Sequence, residues 1–180
     1  MAFITIERSE TLANLRSPEP RDMFTGRDLY RVQLLPGIQL YKLTGGDAVV
    51  AGHLAPRATG LATPWWFSYE PQIVDAGQGQ YLTIPGIDTA LLRSRQAKAP
   101  LAEFARARGA VNLTWGNPMD HLLIVRLAVP AVGLVGRCSP QLRSGAHTNV
   151  HFIGGDLQFY LPGLAPADVH VVGIDALKSP

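Results

Sequence analysis

Cysteine is almost absent: Cys138 stands alone in 180 residues. That excludes an internal disulfide framework and any thiolate metal cluster drawn from this chain alone, and the single thiol reads as a packed small residue rather than a nucleophile. Long apolar runs are missing too. No stretch approaches the roughly twenty residues of a membrane span, and Met1 to Glu10, carrying Glu7, Arg8 and Glu10, has no apolar core for a signal peptide. The expectation is a soluble, cytosolic protein with no membrane partner, although export by a dedicated secretion machine would leave the same sequence. Charge of one sign is also scarce, with 16 Lys and Arg against 14 Asp and Glu. The most basic run, Arg93 to Arg108, has apolar residues at helical spacing and reads as a solvated helix face. Arg93, Arg95, Lys98, Arg106 and Arg108 are the whole basis for a nucleic-acid partner.

The motifs of several enzyme classes are lacking. His53, His121, His147, His151 and His170 are scattered, with no His-x-x-x-His or His-x-His pair in a helical or strand setting, so no metal is expected. There is no Gly-x-Gly-x-x-Gly turn after a strand, no phosphate loop ending in Gly-Lys-Ser, and no Gly-x-Ser-x-Gly elbow. Repeats, low-complexity tracts and interdomain linkers are absent as well, which predicts a single domain over residues 1–180.

What is present is a chain with 47% hydrophobic residues, enough for a real core at this length. Phe3 to Ile6 is a short extended start, and Ser17 to Arg27 reads as a surface loop. Leu29 to Leu35 and Ile38 to Leu43, either side of Pro36-Gly37, predict a hairpin or a pair of linked strands. In Leu61 to Ser68 the adjacent Trp65 and Trp66 cannot both face one core if the segment is extended; one of them is expected to line a cleft or cover a surface. Pro71 to Gly86, rich in Gly, Gln and Pro, reads as a loop over a site. Helices are predicted over Ile87 to Arg95, with Asp88 as N-cap, and from Pro100 through Arg108, ended by Gly109. Val111 to Asp120 reads as a polar and aromatic connection. Leu122 to Val129, apolar at nearly every position, predicts a strand covered on both faces. Val132 to Val135 is expected to continue the sheet, Ser139 to Thr148 to form a polar loop, and Val169 to Ile174 to make the last strand.

The organising stretch is Phe152 to Gly163, where a glycine pair precedes Asp156, Leu157 and Gln158, then Phe159, Tyr160, Leu161 and a Pro-Gly turn. In an extended segment Asp156 and Gln158 point one way, Leu157 and Phe159 the other.

The order of these features resembles the ADP-ribosyltransferase superfamily, the mono-ADP-ribosylating toxins and their relatives. The motifs are Tyr41-Lys42 on an early strand, Thr63-Pro-Trp-Trp-Phe-Ser68 in the middle and the late Asp156-Leu-Gln158 before an apolar stretch and a Pro-Gly turn. Together they are spread over about two thirds of the chain. The resemblance implies an α+β fold of two packed, mostly antiparallel sheets with a few flanking helices, and a cleft that takes NAD as substrate. Lys42 beside Tyr41 takes the early cationic position, with Arg31 beside Tyr30 as a competing register, and contacts a phosphate or the adenylate ribose. Thr63 and Ser68 belong to the middle strand, Thr63 fixing the nicotinamide ribose while Trp65 or Trp66 stacks on a ring.

Asp156 and Gln158 replace the family's late acidic pair. An amide in place of the catalytic glutamate holds the ribose but supplies no charge, so the resemblance leaves Asp156, or Glu70 from the neighbouring loop, to stabilise the oxocarbenium-like transition state. It implies a mono-ADP-ribosyltransferase or NAD glycohydrolase with a protein or nucleic-acid acceptor. The alternative is a non-catalytic binding or assembly module on the same or another mixed-sheet fold.

Overall fold

A computed structural model of the chain describes residues 2–8, 24–45, 49–50, 53–54, 64–77, 79–109, 118–142, 151–152 and 154–177. The fold is mixed α+β with mostly antiparallel strands. Ten strands hydrogen-bond in one continuous order: β14 (Val169–Ala176), β9 (His121–Leu127), β3 (Gln39–Thr44), β6 (Trp65–Ser68), β13 (Leu157–Tyr160), β10 (Ala131–Cys138), β2 (Phe24–Leu34), β1 (Ala2–Arg8), β7 (Gln72–Gly77) and β8 (Gln80–Ile84). Among the described strands, only β1 and β7 pair in parallel. Two small ladders stand apart, β4 (Val49–Val50) with β5 (His53–Leu54) and β11 (Gln141–Leu142) with β12 (His151–Phe152). Helices α1 (Ile87–Gln96) and α2 (Leu101–Arg108) lie between β8 and β9.

The two sheets expected from the sequence are therefore one ladder that curls on itself. Ile84 from the last strand in the order and Val169 from the first join a single buried cluster with Val32, Leu34, Leu40, Trp66, Val125, Val135 and Phe159. A flat sheet cannot bring its two edges into one core, so this face is the inner one. The outer face carries α1: Ile87 and Leu91 pack with Tyr41, Ile124, Phe67 and Tyr69. Burying each large apolar side chain is worth about 1.5–3 kcal/mol, and β9 collects it on both sides, with Leu123 and Val125 inside and Ile124 outside.

Several expectations change. Of the two readings around Pro36-Gly37, the linked strands hold and the hairpin does not: the amide of Gly37 donates to the carbonyl of Leu127 and Leu127 donates back to Ile38, so β3 joins β9 instead of folding onto β2. Pro71 to Gly86 is the hairpin β7–β8 rather than a covering loop. Its alternation, with Gln72, Val74 and Ile84 buried and Ile73 and Tyr81 exposed, is that of a half-buried strand pair. Asp88 does not cap α1, since the N-cap is Gly86; it lies exposed in the first turn, where a carboxylate suits the helix dipole. Val132 to Val135 does continue the sheet, as part of β10, which pairs with β13 and β2. No helix among the described residues is long and apolar enough to cross a membrane, which says nothing about strands.

Candidate functional site

The three segments that carry the early, middle and late motifs, far apart in the chain, form adjacent strands in the order β3-β6-β13. Leu40 is opposite Ser68 and Tyr41 opposite Phe67, while Trp65 is opposite Tyr160 and Trp66 opposite Phe159. The competing pair Tyr30 and Arg31 lies on β2, two places beyond β13.

The glycine pair before β13 joins the end of α2 to the end of β10. Gly154 and Gly155 have φ of +63° and +94°. At Gly154 a Cβ would stand 2.5 Å from the carbonyl oxygen of Cys138, so position 154 requires glycine on both counts. Released from that constraint, the backbone amide of Gly154 donates to the carbonyl of Ala107 (3.0 Å) and that of Asp156 to Arg108 (3.3 Å), satisfying two of the carbonyls a helix leaves open at its C-terminus. Gly155 donates to Cys138 (2.8 Å), and the amide of Cys138 donates back to Asp156 (2.9 Å).

A carboxylate beside a helix C-terminus meets the negative end of the dipole, and two arginines offset it here. Arg108 Nε donates to Asp156 Oδ1 at 3.0 Å, and Arg93 Nη1 from α1 stands 3.7 Å from the same oxygen. Asp156 thus binds α1, α2 and the strand end together.

Alternation on β13 is as the sequence implied. Leu157 and Phe159 enter the inner cluster, so Gln158, also buried, points to the outer face. The tryptophans divide in the same way. Trp66 is in the inner cluster. Trp65 is on the outer face, half-buried against Tyr160 (ring centroids 4.8 Å) and Phe24 (5.3 Å).

The proposed site residues are therefore split. Lys42, Trp66 and Ser68 face inward. The Lys42 ammonium sits 3.9 Å from the Trp66 ring centroid, and burial brings its pKa down from 10.5 to about 7. Ser68 donates its hydroxyl to the carbonyl of Glu70 at 2.7 Å, which ties it to the turn after β6. Tyr41, Trp65, Asp156 and Gln158 face outward, toward the helices. Burial, then the charge of Asp156, then Cys138, push the phenol of Tyr41 above its ordinary value, so it is a neutral hydrogen-bond donor across the physiological range. Tyr41 also stacks on Phe67 with centroids 5.5 Å apart. Glu70 is exposed at the turn, and Thr63 lies outside the described residues.

Lysine and tyrosine adjacent on one strand cannot share a face, so contacts from both to one ligand fail on geometry alone. Sequence reasoning missed Arg93 and Arg108 as site residues. They are part of a basic helical run, and only the fold shows that both reach Asp156. Cys138 is buried, as a packed small residue would be, and burial pushes its thiol pKa up. Among the described residues no group of three or more His, Cys, Asp or Glu side chains is placed to hold a metal ion.

No protein-family model, curated protein or solved structure matches the chain. The chemistry of the site has to be read from its own side chains. The outer face offers an aromatic wall, a neutral phenol, a buried primary amide and a two-arginine, one-carboxylate cluster. Such a set suits a ligand with a planar ring, hydroxyls and negative charge.

Proposed function

We propose that the outer face of β3, β6 and β13 binds NAD, and that the protein is an NAD glycohydrolase or mono-ADP-ribosyltransferase. The observation that supports this reading is that the three motif segments, far apart in the chain, form adjacent strands, an arrangement that no local feature of the sequence dictates. The roles follow the face each residue occupies. The Gln158 amide holds the hydroxyls of the nicotinamide ribose and Trp65 with Tyr160 offers the ring surface, while Tyr41, packed beneath α1 with Ile87 and Leu91, holds the strand in place. Lys42, Trp66 and Ser68 support these strands from inside.

In the reaction the bond between the ribose anomeric carbon and the nicotinamide nitrogen breaks, and nicotinamide leaves with the electron pair. Water or an acceptor nucleophile then bonds to the oxocarbenium-like carbon and gives up a proton. Gln158 orients the sugar but brings no negative charge. Asp156 is committed to Arg108 and Arg93 rather than to the sugar. Losing one well-placed stabiliser costs roughly a hundredfold or more in rate, so slow turnover is expected.

Nicotinamide release from NAD tests the reading. Wild type should release it, Gln158→Ala should fall by about a hundredfold, and Lys42→Met should stay within a fewfold. Equal rates for wild type and Gln158→Ala would remove the assignment.

The engagement of Asp156 with two guanidiniums favours a second reading, a module that binds without reacting. Saturable heat with NAD and no nicotinamide release would select it.

A further inference from the structure

Two guanidiniums share one carboxylate at the end of β13. Arg108 makes the close contact with Asp156 and Arg93 the longer one, and among the described residues Asp156 is the acid paired with both. The cluster therefore carries one positive charge in excess. Asp156 keeps only 18% side-chain exposure, but Arg93 keeps 47%, so its guanidinium is accessible from solvent. The Arg108 guanidinium lies directly over Gly155: a Cβ there would stand 3.4 Å from Nη2 and 3.7 Å from Cζ, so the guanidinium packs on the glycine backbone. Arg137 donates to the carbonyl of Gly155 at 3.2 Å and fixes the backbone on that side.

We infer that Arg93 and Arg108 receive the diphosphate of a bound dinucleotide, with Asp156 as the residue that positions the two guanidiniums before the ligand arrives. The inference rests on the NAD reading and replaces Lys42 as the phosphate contact. Its second support is spacing. Asp156 and Gln158 are two residues apart on one side of an extended segment, roughly 7 Å, which is about the length of a ribose. A nicotinamide ribose held by Gln158 therefore directs its 5′ side toward the arginines or away from them, and only the first direction meets positive charge. Guanidinium forks suit phosphate oxygens, and contacts of this charged kind are the stronger hydrogen bonds of a site.

The test uses Arg93→Gln, at the exposed and longer-range member of the cluster, with chemical denaturation as the check that the fold is kept. Calorimetric titration compares NAD, nicotinamide riboside, which lacks the diphosphate, and inorganic pyrophosphate. Wild type should bind NAD, and Arg93→Gln should weaken NAD about tenfold or more while leaving the riboside unchanged. NAD bound equally by wild type and variant, or riboside weakened as much as NAD, would overturn the inference and leave the NAD reading standing. Pyrophosphate bound by wild type and lost in the variant, with no NAD binding in either, would overturn the dinucleotide and retain the anion site. No binding of NAD or pyrophosphate by wild type would overturn both.

Discussion

Lys42→Met is expected to be about 1–4 kcal/mol more stable than wild type at pH 7, the range in which apolar replacements of buried ionic groups often fall. Lys42 is 4% exposed and its ammonium lies over the Trp66 ring. A desolvated cation–π contact returns about 2 kcal/mol to the charged form, whereas a fall in pKa from 10.5 to about 7 represents roughly 5 kcal/mol against it. Desolvation prevails. The same shift makes stability depend on pH. Between about 7 and 10.5 the unfolded chain holds the lysine proton and the folded chain releases it, so the unfolding free energy rises with pH in that window, by about 2 kcal/mol from pH 7 to 9.

Cys138 and Tyr41 act oppositely at higher pH. Burial raises both folded pKa values above the ordinary 9.0 and 10.0, so their contribution is intact below those values and is lost as pH climbs past them. Wild type should therefore be most stable near pH 9, and Lys42→Met should lose the rising limb and keep the falling one. Urea unfolding at pH 6, 7, 8, 9 and 10 reads both. A rising limb that persists in the variant would show that Lys42 is not its source.

Gly133→Ala is expected to cost on the order of 3 kcal/mol or more, at or above the upper end of overpacking effects. In β10, position 133 lies against the end of β13. A Cβ there would overlap the carbonyl oxygen of Tyr160 and come within 2.8 Å of Leu161 Cδ2. A backbone oxygen cannot rotate aside as a side-chain tip can, so one strand has to move. At this chain size 3 kcal/mol corresponds to a fall in Tm of roughly 6–12 °C. Because the displaced strand carries Gln158, NAD binding should weaken with stability. A variant within 1 kcal/mol of wild type would show that β10 and β13 yield easily, and would contradict the rigid placement assigned to Gln158.

Periodicity over adjacent residues was the most legible part of the fold. Leu122 to Val129 announced a strand covered on both faces, and Pro100 and Gly109 marked the two ends of α2. The two tryptophans had to divide between faces, and they do. What the sequence concealed was pairing between distant segments. Pro36-Gly37 looks like a hairpin turn, yet its hydrogen bonds go to Leu127, a partner about ninety residues away. Gln and Gly residues made Pro71 to Gly86 look like a loop, but Val74 and Ile84 bury it as a strand pair.

The candidate site was half legible for the same reason. Alternation put Asp156 and Gln158 on one side, and the same rule applied to Tyr41 and Lys42 forbids the joint contact that reading adjacent residues as one motif invites. Arg93 and Arg108 read locally as members of a solvated basic run, and their shared contact with Asp156 arises only where α1, α2 and the end of β13 meet.

The face proposed to bind NAD is the point on which the functional reading turns, and the indole resonances of the protein report it directly. In an NAD titration followed by nitrogen–proton correlation spectra, with assignments from Trp65→Phe and Trp66→Phe, the Trp65 indole should shift saturably while Trp66, buried inside the curled sheet, stays in place. No saturable shift at Trp65, or one confined to Trp66, would contradict an NAD site on the outer face.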